Sequence, residues 1–196
     1  MPVLAAIFIG LVLAAQPQKP FGDQLALAAI ERTQHAVRYD PAYWQIPYPG
    51  GDVPAHLGVC SDVVIRSLRA VGIDLQQKVH EDMAANFGAY PTHWGLVRPD
   101  PNIDHRRVPN LERYFTRMGA SLAVGNDPSA FQPGDIDAWN LRGATGGWLP
   151  HIGIVVEGRS PRGRPLVVHN IGAGPKAEDV LFAWPMTGHY RYRPDH

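Results

Sequence analysis

Apolar residues in the first half of the chain recur at helical spacing. The first such segment predicts a helix over residues 24–37, with Asp23 as its N-cap. The apolar face of that helix would hold Leu27, Ile30 and Val37. Three further helices follow from the same reasoning. Their starting residues and apolar residues are Cys60 with Val64, Leu68 and Val71; Asp74 with Val79, Met83 and Phe87; and Pro109 with Leu111, Phe115 and Met118.

The second half of the chain is typical of short strands separated by turns rich in glycine and proline. The predicted strands are Asp135–Trp139, His151–Val156, Leu166–Asn170 and a last one near His189–Tyr192. Helices come first and strands later, rather than in alternation. We therefore expect the α+β class, with the N-terminal helices packed on a small antiparallel sheet.

Length, composition and charge restrict the possible functions. A chain of 196 residues suits one domain, and 45 % apolar with 18 % charged residues argues against disorder. The formal net charge is zero, so we expect no nucleic-acid partner, because such binding relies on a cationic surface. A single cysteine excludes an internal disulfide and any cysteine-rich zinc site.

The first 15 residues form an apolar run that ends in small residues and is followed by Gln16-Pro17. This pattern predicts a secretory signal cleaved near Ala15, with an uncleaved N-terminal anchor as the alternative. We expect a periplasmic or secreted protein with no stable membrane span after signal removal. Residues 22–196 would then form one catalytic domain, which we expect to be a monomer.

Cys60 is predicted to lie in the first turn of a helix. The positive end of the helix dipole lowers the pKa of a thiol there, and the free N–H groups of that turn can stabilise an oxyanion. The alternative is a buried structural cysteine. A thiolate also needs a base, and His151 opens a predicted strand. His169 and Asn170 end the following strand on opposite faces, so only one of them can orient His151.

These segments resemble the NlpC/P60 class of papain-like cysteine peptidases. The matching blocks, in family order, are Tyr48-Pro49-Gly50-Gly51, Val59-Cys60-Ser61-Asp62, Pro133-Gly134-Asp135-Ile136, His151-Ile152-Gly153-Ile154 and Val168-His169. Val59 and Asp62 depart from the family, which has Asp and Gly there. The whole chain also resembles a family of exported bacterial proteins catalogued as domain of unknown function 1287, in the stretches Gly58–Asp62, Val79–Met83, Asn102–Asn110 and Gly188–Tyr192.

The resemblance implies a papain-like fold and a thiol-dependent hydrolase. Cys60 would be the nucleophile, His151 the base and His169, favoured over Asn170, the orienting residue. Tyr48 would lie near the thiol and donate to the oxyanion, and Ser61 and Asn170 would support the site. NlpC/P60-like enzymes commonly cleave peptidoglycan stem peptides, so we expect a peptidoglycan or muropeptide substrate.

A polar loop, Asn102–Arg107, suggests how such a substrate would be held. Arginine can bind a carboxylate with two parallel hydrogen bonds, so we assign Arg106 or Arg107, with Asp62, to substrate binding. The alternative is a structural or solvated arginine pair.

Three other functions remain open at this point. A zinc hydrolase would use scattered ligands such as Asp104, His105 and His189, since Ala84 breaks the H-E-x-x-H pattern that begins at His80. A non-catalytic envelope module would hold a peptide in the same cleft without cleaving it. A thiol-dependent acyltransferase would share the acyl-enzyme and differ in its acceptor. No nucleotide-binding motif is present, and we expect no cofactor.

Overall fold

The computed structural model describes residues 18–194 of the chain. The helices of this part are α1 (Phe21–Arg32), α2 (Cys60–Ala70), α3 (Leu75–Asn86) and α4 (Val108–Arg117). Short 3-10 helices occupy Phe87–Ala89, Asp104–Arg106 and Pro128–Ala130. The predicted signal segment 1–15 lies outside the described residues, so export stays a prediction.

Two sheets are present in the described part. Strands β1 (Arg38–Tyr39) and β2 (Leu57–Gly58) form a short parallel pair just before α2. The larger sheet contains β3 (Ile136–Asn140), β4 (Pro150–Arg159), β5 (Pro165–His169), β6 (Lys176–Glu178) and β7 (Met186–Tyr190). Its order is β6-β5-β4-β3-β7, with every neighbouring pair antiparallel. The predicted α+β class with an antiparallel sheet is confirmed.

Apolar residues fill two clusters on opposite faces of the larger sheet, because successive strand residues point to opposite sides. The helical cluster packs α1 to α4 on β3 and β4, with Leu68, Leu111, Phe115 and Ile152 among its fully buried members. The small cluster on the other face consists of Phe131, Trp139, Val155, Val167 and Leu181. The two candidate histidines therefore lie on a sheet that is covered on both sides.

The first helix differs from its prediction. It begins at Phe21 and ends at Arg32, so Asp23 lies in its first turn rather than at the cap. Leu27 is 46 % exposed, and the buried residues are instead Leu25, Ala26 and Ala29. Two of these three residues are small alanines, and this face is where α1 packs against α2 and β4. Val37 lies beyond the helix, in the segment before β1.

The other predicted helices differ only at their ends. Asp74 caps α3 as expected, its carboxylate accepting the Gln76 N–H at 3.0 Å. Phe87 belongs to the 3-10 helix after α3, and Met118 is the C-cap of α4. Gly72 follows α2 with a positive φ of 88°, a backbone conformation that glycine adopts readily.

One fully buried carboxyl group, that of Asp137 on β3, has no hydrogen-bond partner among the described residues. Burial, and then the charge of Asp135, raises the pKa of Asp137 well above its usual range. A folded-state pKa above the unfolded value means that stability is full at acid pH and is lost as the pH rises.

We expect Asp137→Val to raise the free energy of unfolding at pH 8 by about 1–3 kcal/mol, because it removes a buried group with no partner. The gain should shrink towards pH 4, where the wild-type carboxyl is neutral. Urea denaturation at both pH values measures this, with Glu157→Val on exposed strand surface as the control. A variant less stable than wild type at pH 8 would contradict this account of Asp137.

Candidate active site

The start of α2 holds Cys60 in a defined position. Val59 is extended, and its N–H donates to the Asp62 carboxylate at 2.6 Å, which fixes the first turn of the helix. Cys60 is the first helical residue and is 5 % exposed. The predicted placement of this cysteine at a helix N-terminus therefore agrees with the structure.

The electrostatics of the thiol differ from the sequence-based expectation. Burial raises the pKa of Cys60 to about 11. Hydrogen bonds from the backbone N–H groups of Ile152, Ser61 and Cys60 itself favour the thiolate but do not offset the burial. The expected lowering of the thiol pKa is therefore wrong for this state of the protein. Burial raises the pKa more than the N–H groups of the helix N-terminus lower it. At neutral pH the thiol is protonated.

A row of three side chains crosses β4, β5 and β6. His151 Nε2 lies 2.8 Å from His169 Nδ1, and His169 Nε2 lies 3.0 Å from a Glu178 carboxylate oxygen. Burial lowers the pKa of His151 to about 3. Burial also lowers the pKa of His169, while the charge of Glu178 acts in the opposite direction. Both imidazoles are therefore neutral at neutral pH.

The sheet itself brings the two histidines together. Gly153 lies on β4, two residues after His151. If this residue had a Cβ atom, that atom would lie 2.7 Å from Val167 Cγ1 and 3.1 Å from His169 Cβ. The absence of a side chain thus allows β5 to approach. Trp184 covers the pair, with its ring centroid 6.0 Å from that of His151 and 6.1 Å from that of His169.

Of the two candidates on β5, the structure brings His169 to His151. Asn170 points to the other face of the sheet, as strand alternation requires. Its amide nitrogen lies 3.5 Å from the Gly58 carbonyl oxygen, and its amide oxygen accepts the Gly172 N–H at 3.0 Å. Asn170 therefore contacts the segment that leads into α2 rather than His151.

Cys60 and His151 are linked through the backbone of β4. The Ile152 N–H that donates to the Cys60 sulfur belongs to the residue directly after His151. Within residues 18–194, no hydrogen bond joins the thiol directly to either imidazole. Such contacts are often long in a ligand-free enzyme and tighten when substrate binds.

The structure places Tyr39, and not Tyr48, beside the thiol. The Tyr48 ring packs against His80 with the centroids 4.8 Å apart and is 42 % exposed. Burial, followed by the neighbouring Cys60, raises the pKa of Tyr39 to about 12. The sequence motif pointed to the tyrosine before Gly50-Gly51, whereas Tyr39 reaches the site through its pairing with Gly58 on β2.

Asp62 and Arg106, both expected to bind substrate, instead form a buried ion pair. Arg106 donates to the two Asp62 oxygens at 3.0 and 2.9 Å and to the carbonyls of Ala42 and Asp40. The two side chains are 2 % and 3 % exposed. The Ser61 hydroxyl donates to the Arg106 carbonyl at 2.7 Å. These three residues attach α2 to the Asp104–Arg106 turn, so their polar groups serve the fold rather than a substrate.

Arg107 is oriented differently and reaches the cavity that contains the thiol. This cavity measures about 400 Å³. The residues that form its walls include Tyr39, Tyr43, Cys60, Trp94, Ile103, Arg107, Val108, Pro109 and Pro150. The Arg107 guanidinium carbon lies 4.2 Å from the centroid of the Trp94 ring, and Nη1 donates to Asp104 at 3.1 Å. Arg106 also contributes to these walls, but its side chain is only 2 % exposed and its guanidinium is paired with Asp62, whereas the Arg107 side chain is 16 % exposed.

The three residues considered above as possible zinc ligands do not lie close together in the structure. Asp104 and His105 lie in a 3-10 helix beside α2 and α3, while His189 on β7 pairs with Asp135 at 2.9 Å and stacks on Phe131. In the described part of the chain, no group of three or more His, Cys, Asp or Glu side chains is arranged to hold a metal ion. Nor is any helix of residues 18–194 long and apolar enough to cross a membrane.

The comparison with solved structures finds only distant similarities. Two solved structures from Trichomonas vaginalis, NlpC1 and NlpC2, are each 14 % identical with a TM-score of 0.46. They align over 87 % and 89 % of this chain but only 44 % and 48 % of their own, so this chain spans less than half of their length. These similarities assign no activity.

The comparison by sequence is much closer. Uncharacterized protein YijF of Escherichia coli (strain K12) is 59 % identical over 154 residues, which are 79 % of this chain and 73 % of YijF. The family described as "Domain of unknown function (DUF1287)" matches residues 26–192, a range that contains Cys60, both histidines of the pair and Glu178. The chain belongs to the DUF1287 family.

Proposed function

We propose that this protein is a thiol-dependent hydrolase that cleaves a peptide or amide bond through Cys60, His151 and His169. Its substrate would be the stem peptide of peptidoglycan, which the protein would reach after the N-terminal segment has directed its export. One observation carries the proposal: a hydrogen-bonded row runs from Glu178 through His169 to His151, and the N–H of the following residue, Ile152, donates to the sulfur of Cys60, which lies at a helix N-terminus on the wall of a cavity.

The row determines which ring nitrogen of His151 is basic. An ionised carboxylate only accepts hydrogen bonds, so Glu178 selects the tautomer of His169 with hydrogen on Nε2. Nδ1 of His169 then accepts, and His151 must donate from its own Nε2. The lone pair of His151 is left on Nδ1, which is the nitrogen available to remove the thiol proton.

The reaction begins from a neutral thiol and a neutral imidazole. His151 Nδ1 removes the Cys60 proton as sulfur attacks the carbonyl carbon, and the N–H groups of Cys60 and Ser61 donate to the oxyanion. The carbon–nitrogen bond breaks, and His151 returns the proton to the departing amine. Water then attacks the thioester with His151 again as base, releasing the acid and the thiol. The Tyr39 hydroxyl, beside the sulfur, is a third donor for the oxyanion.

The first test is a digest of purified peptidoglycan and of soluble muropeptides, analysed by mass spectrometry, with wild type and Cys60→Ala side by side. We expect new stem-peptide fragments from wild type only, and their masses identify the bond. Fragments from both proteins would contradict a thiol nucleophile. Binding without fragments from either would favour a non-catalytic envelope module, and transfer to an added amine would indicate an acyltransferase.

The tautomer argument leads to a prediction for Glu178, a residue that the sequence analysis did not identify. We expect Glu178→Gln to lower kcat by a factor of only a few, because a glutamine oxygen can still accept from His169. Glu178→Lys should lower it by roughly 10- to 100-fold, because an ammonium group only donates and reverses the tautomers of both histidines. Glu178 is 44 % exposed, so both variants should fold.

Nitrogen chemical shifts of the two imidazoles, measured by NMR, report the tautomers directly. The prediction requires them to change in Glu178→Lys and to stay close to wild type in Glu178→Gln. Equal rates for both variants, with unchanged shifts, would remove Glu178 from the positioning of the base. Lys176→Gln, on the same short strand, serves as the control for surface charge.

A further inference from the structure

Both ends of the described chain meet at a cavity of about 450 Å³. Its walls come from the start of α1 and from the residues after β7, among them Pro20, Phe21, Arg191 and Arg193. The Phe21 ring packs against Tyr192 with the centroids 6.4 Å apart, which fixes the start of α1 at this place. The chain that precedes residue 18 therefore joins the fold beside this cavity.

A second cavity, of about 310 Å³, adjoins the first, because Arg191 and Arg193 belong to the walls of both. Its other walls belong to the segment that follows α4, namely Met118, Gly119, Ala120 and Leu122. The Leu122 N–H donates to the His189 carbonyl at 2.8 Å, which attaches this segment to β7. Met118 and Leu122 are nevertheless 36 % and 38 % exposed. A fixed backbone thus presents two apolar side chains to solvent beside two arginines.

The walls of the two cavities carry more cationic than acidic groups. Among the described residues, Asp23 is the only acidic member of either set of walls. Arg191 is paired with Asp135, whereas Arg193 is exposed and makes no ion pair within residues 18–194. Exposed apolar side chains next to a cation match the surface of an anionic bilayer, where apolar groups enter the acyl boundary and the cation meets lipid phosphates.

We propose that the face formed by Met118, Leu122 and Arg193 docks on the surface of an anionic phospholipid bilayer. The place where the N-terminal segment joins the fold supports this partner. The apolar run ends at Ala15, five residues before Pro20, and five residues span at most ~18 Å. A membrane that holds this run, as a signal or as an uncleaved anchor, therefore lies close to the docking face. The inference uses the proposed export but does not depend on the proposed reaction.

The test measures how the full chain partitions onto vesicles of phosphatidylethanolamine and phosphatidylglycerol, by flotation at increasing lipid concentration. Combining Met118→Asp with Leu122→Asp should lower the partition coefficient by roughly 10- to 100-fold, because two apolar side chains no longer enter the bilayer. Val97→Asp, at a side chain that is 90 % exposed and outside both cavities, is the control and should bind like wild type.

Arg193→Gln tests the electrostatic part of the docking face. It should lower the partition coefficient by roughly 5-fold on the anionic vesicles and leave it unchanged on neutral phosphatidylcholine vesicles. Wild type itself should bind the anionic vesicles more tightly than the neutral ones. All these substitutions are at exposed side chains, and circular dichroism checks that each variant folds.

Equal partition of the double variant and of Val97→Asp would mean that residues 1–15 alone hold the protein at the membrane, and would overturn the proposal. Absence of wild-type binding to either kind of vesicle overturns it as well, and equal binding to both kinds overturns the choice of an anionic surface. Muropeptide cleavage by the double variant, measured without vesicles, should match wild type. Vesicle binding as expected but no cleavage by wild type would overturn the hydrolase and leave the docking face intact.

Discussion

Cys60→Ala and His151→Ala should each lower kcat/KM by about 10⁴-fold, and the double variant should be no slower than either single variant. A base without a nucleophile has nothing to activate, and a buried thiol whose pKa is about 11 cannot ionise without a base. The two residues therefore act as one unit, and their effects do not add. The rates are measured on the substrate that the mass-spectrometric digest identifies.

The control for this result is His35→Ala, which removes an exposed histidine whose ring pairs with Glu31 on α1. Thermal unfolding of each variant, followed by circular dichroism, tests whether the helices are intact. Additive losses in the double variant would mean that Cys60 and His151 act in separate steps. A His151→Ala protein with near wild-type activity would require another base.

Arg106→Met should lower the free energy of unfolding by about 3–5 kcal/mol, the second large effect that we expect. The substitution leaves the Asp62 carboxylate buried without its cation and leaves the carbonyls of Asp40 and Ala42 without a donor. Asp62 also fixes the first turn of α2, so the loss is concentrated at the helix that carries Cys60. Urea denaturation measures the change.

Arg117→Met is a matched control for that experiment. Arg117 likewise donates from Nε and Nη2 to the two oxygens of Asp82, but its side chain is more exposed than that of Arg106. Exposed ion pairs contribute only about 0–1 kcal/mol to the free energy of unfolding. Adding Asp62→Asn to Arg106→Met should recover part of the loss, because the charge disappears while an oxygen remains for the Val59 N–H. Equal destabilisation by Arg106→Met and Arg117→Met would contradict the account of a buried pair.

Sequence reasoning recovered the features that depend on local spacing. Cys60, Asp74 and Pro109 mark the starts of α2, α3 and α4 because capping residues and helix dipoles act within one turn. The first helix was harder, since two of its three buried residues are Ala26 and Ala29, which carry almost no hydrophobic signal. Strands of two or three residues, such as β1 and β6, are too short to show alternation.

The sequence predicted a residue's place in the candidate site only where that place follows from the residue's position along a strand or a helix. The alternation of β5 separates His169 from Asn170, and the motif order points to His151. Arg106 and Arg107 are neighbours with the same chemistry. Only the tertiary structure shows that Arg106 is buried in a pair with Asp62, whereas Arg107 contacts Asp104 and the Trp94 ring. Glu178 comes to His169 across a strand pairing that nothing near residue 178 indicates.

Cys60 and His151, the proposed nucleophile and base, belong to different packed layers. Cys60 is part of the helical cluster, whereas His151 contacts Trp139 and Trp184 on the side of the small cluster. Few apolar residues hold the small cluster together, and regions with few buried contacts open before the whole fold does. Heating should therefore loosen the contacts of the His151 ring with Trp139 and Trp184 while β4 and the helices persist, so that inactivation precedes melting and rapid cooling restores activity.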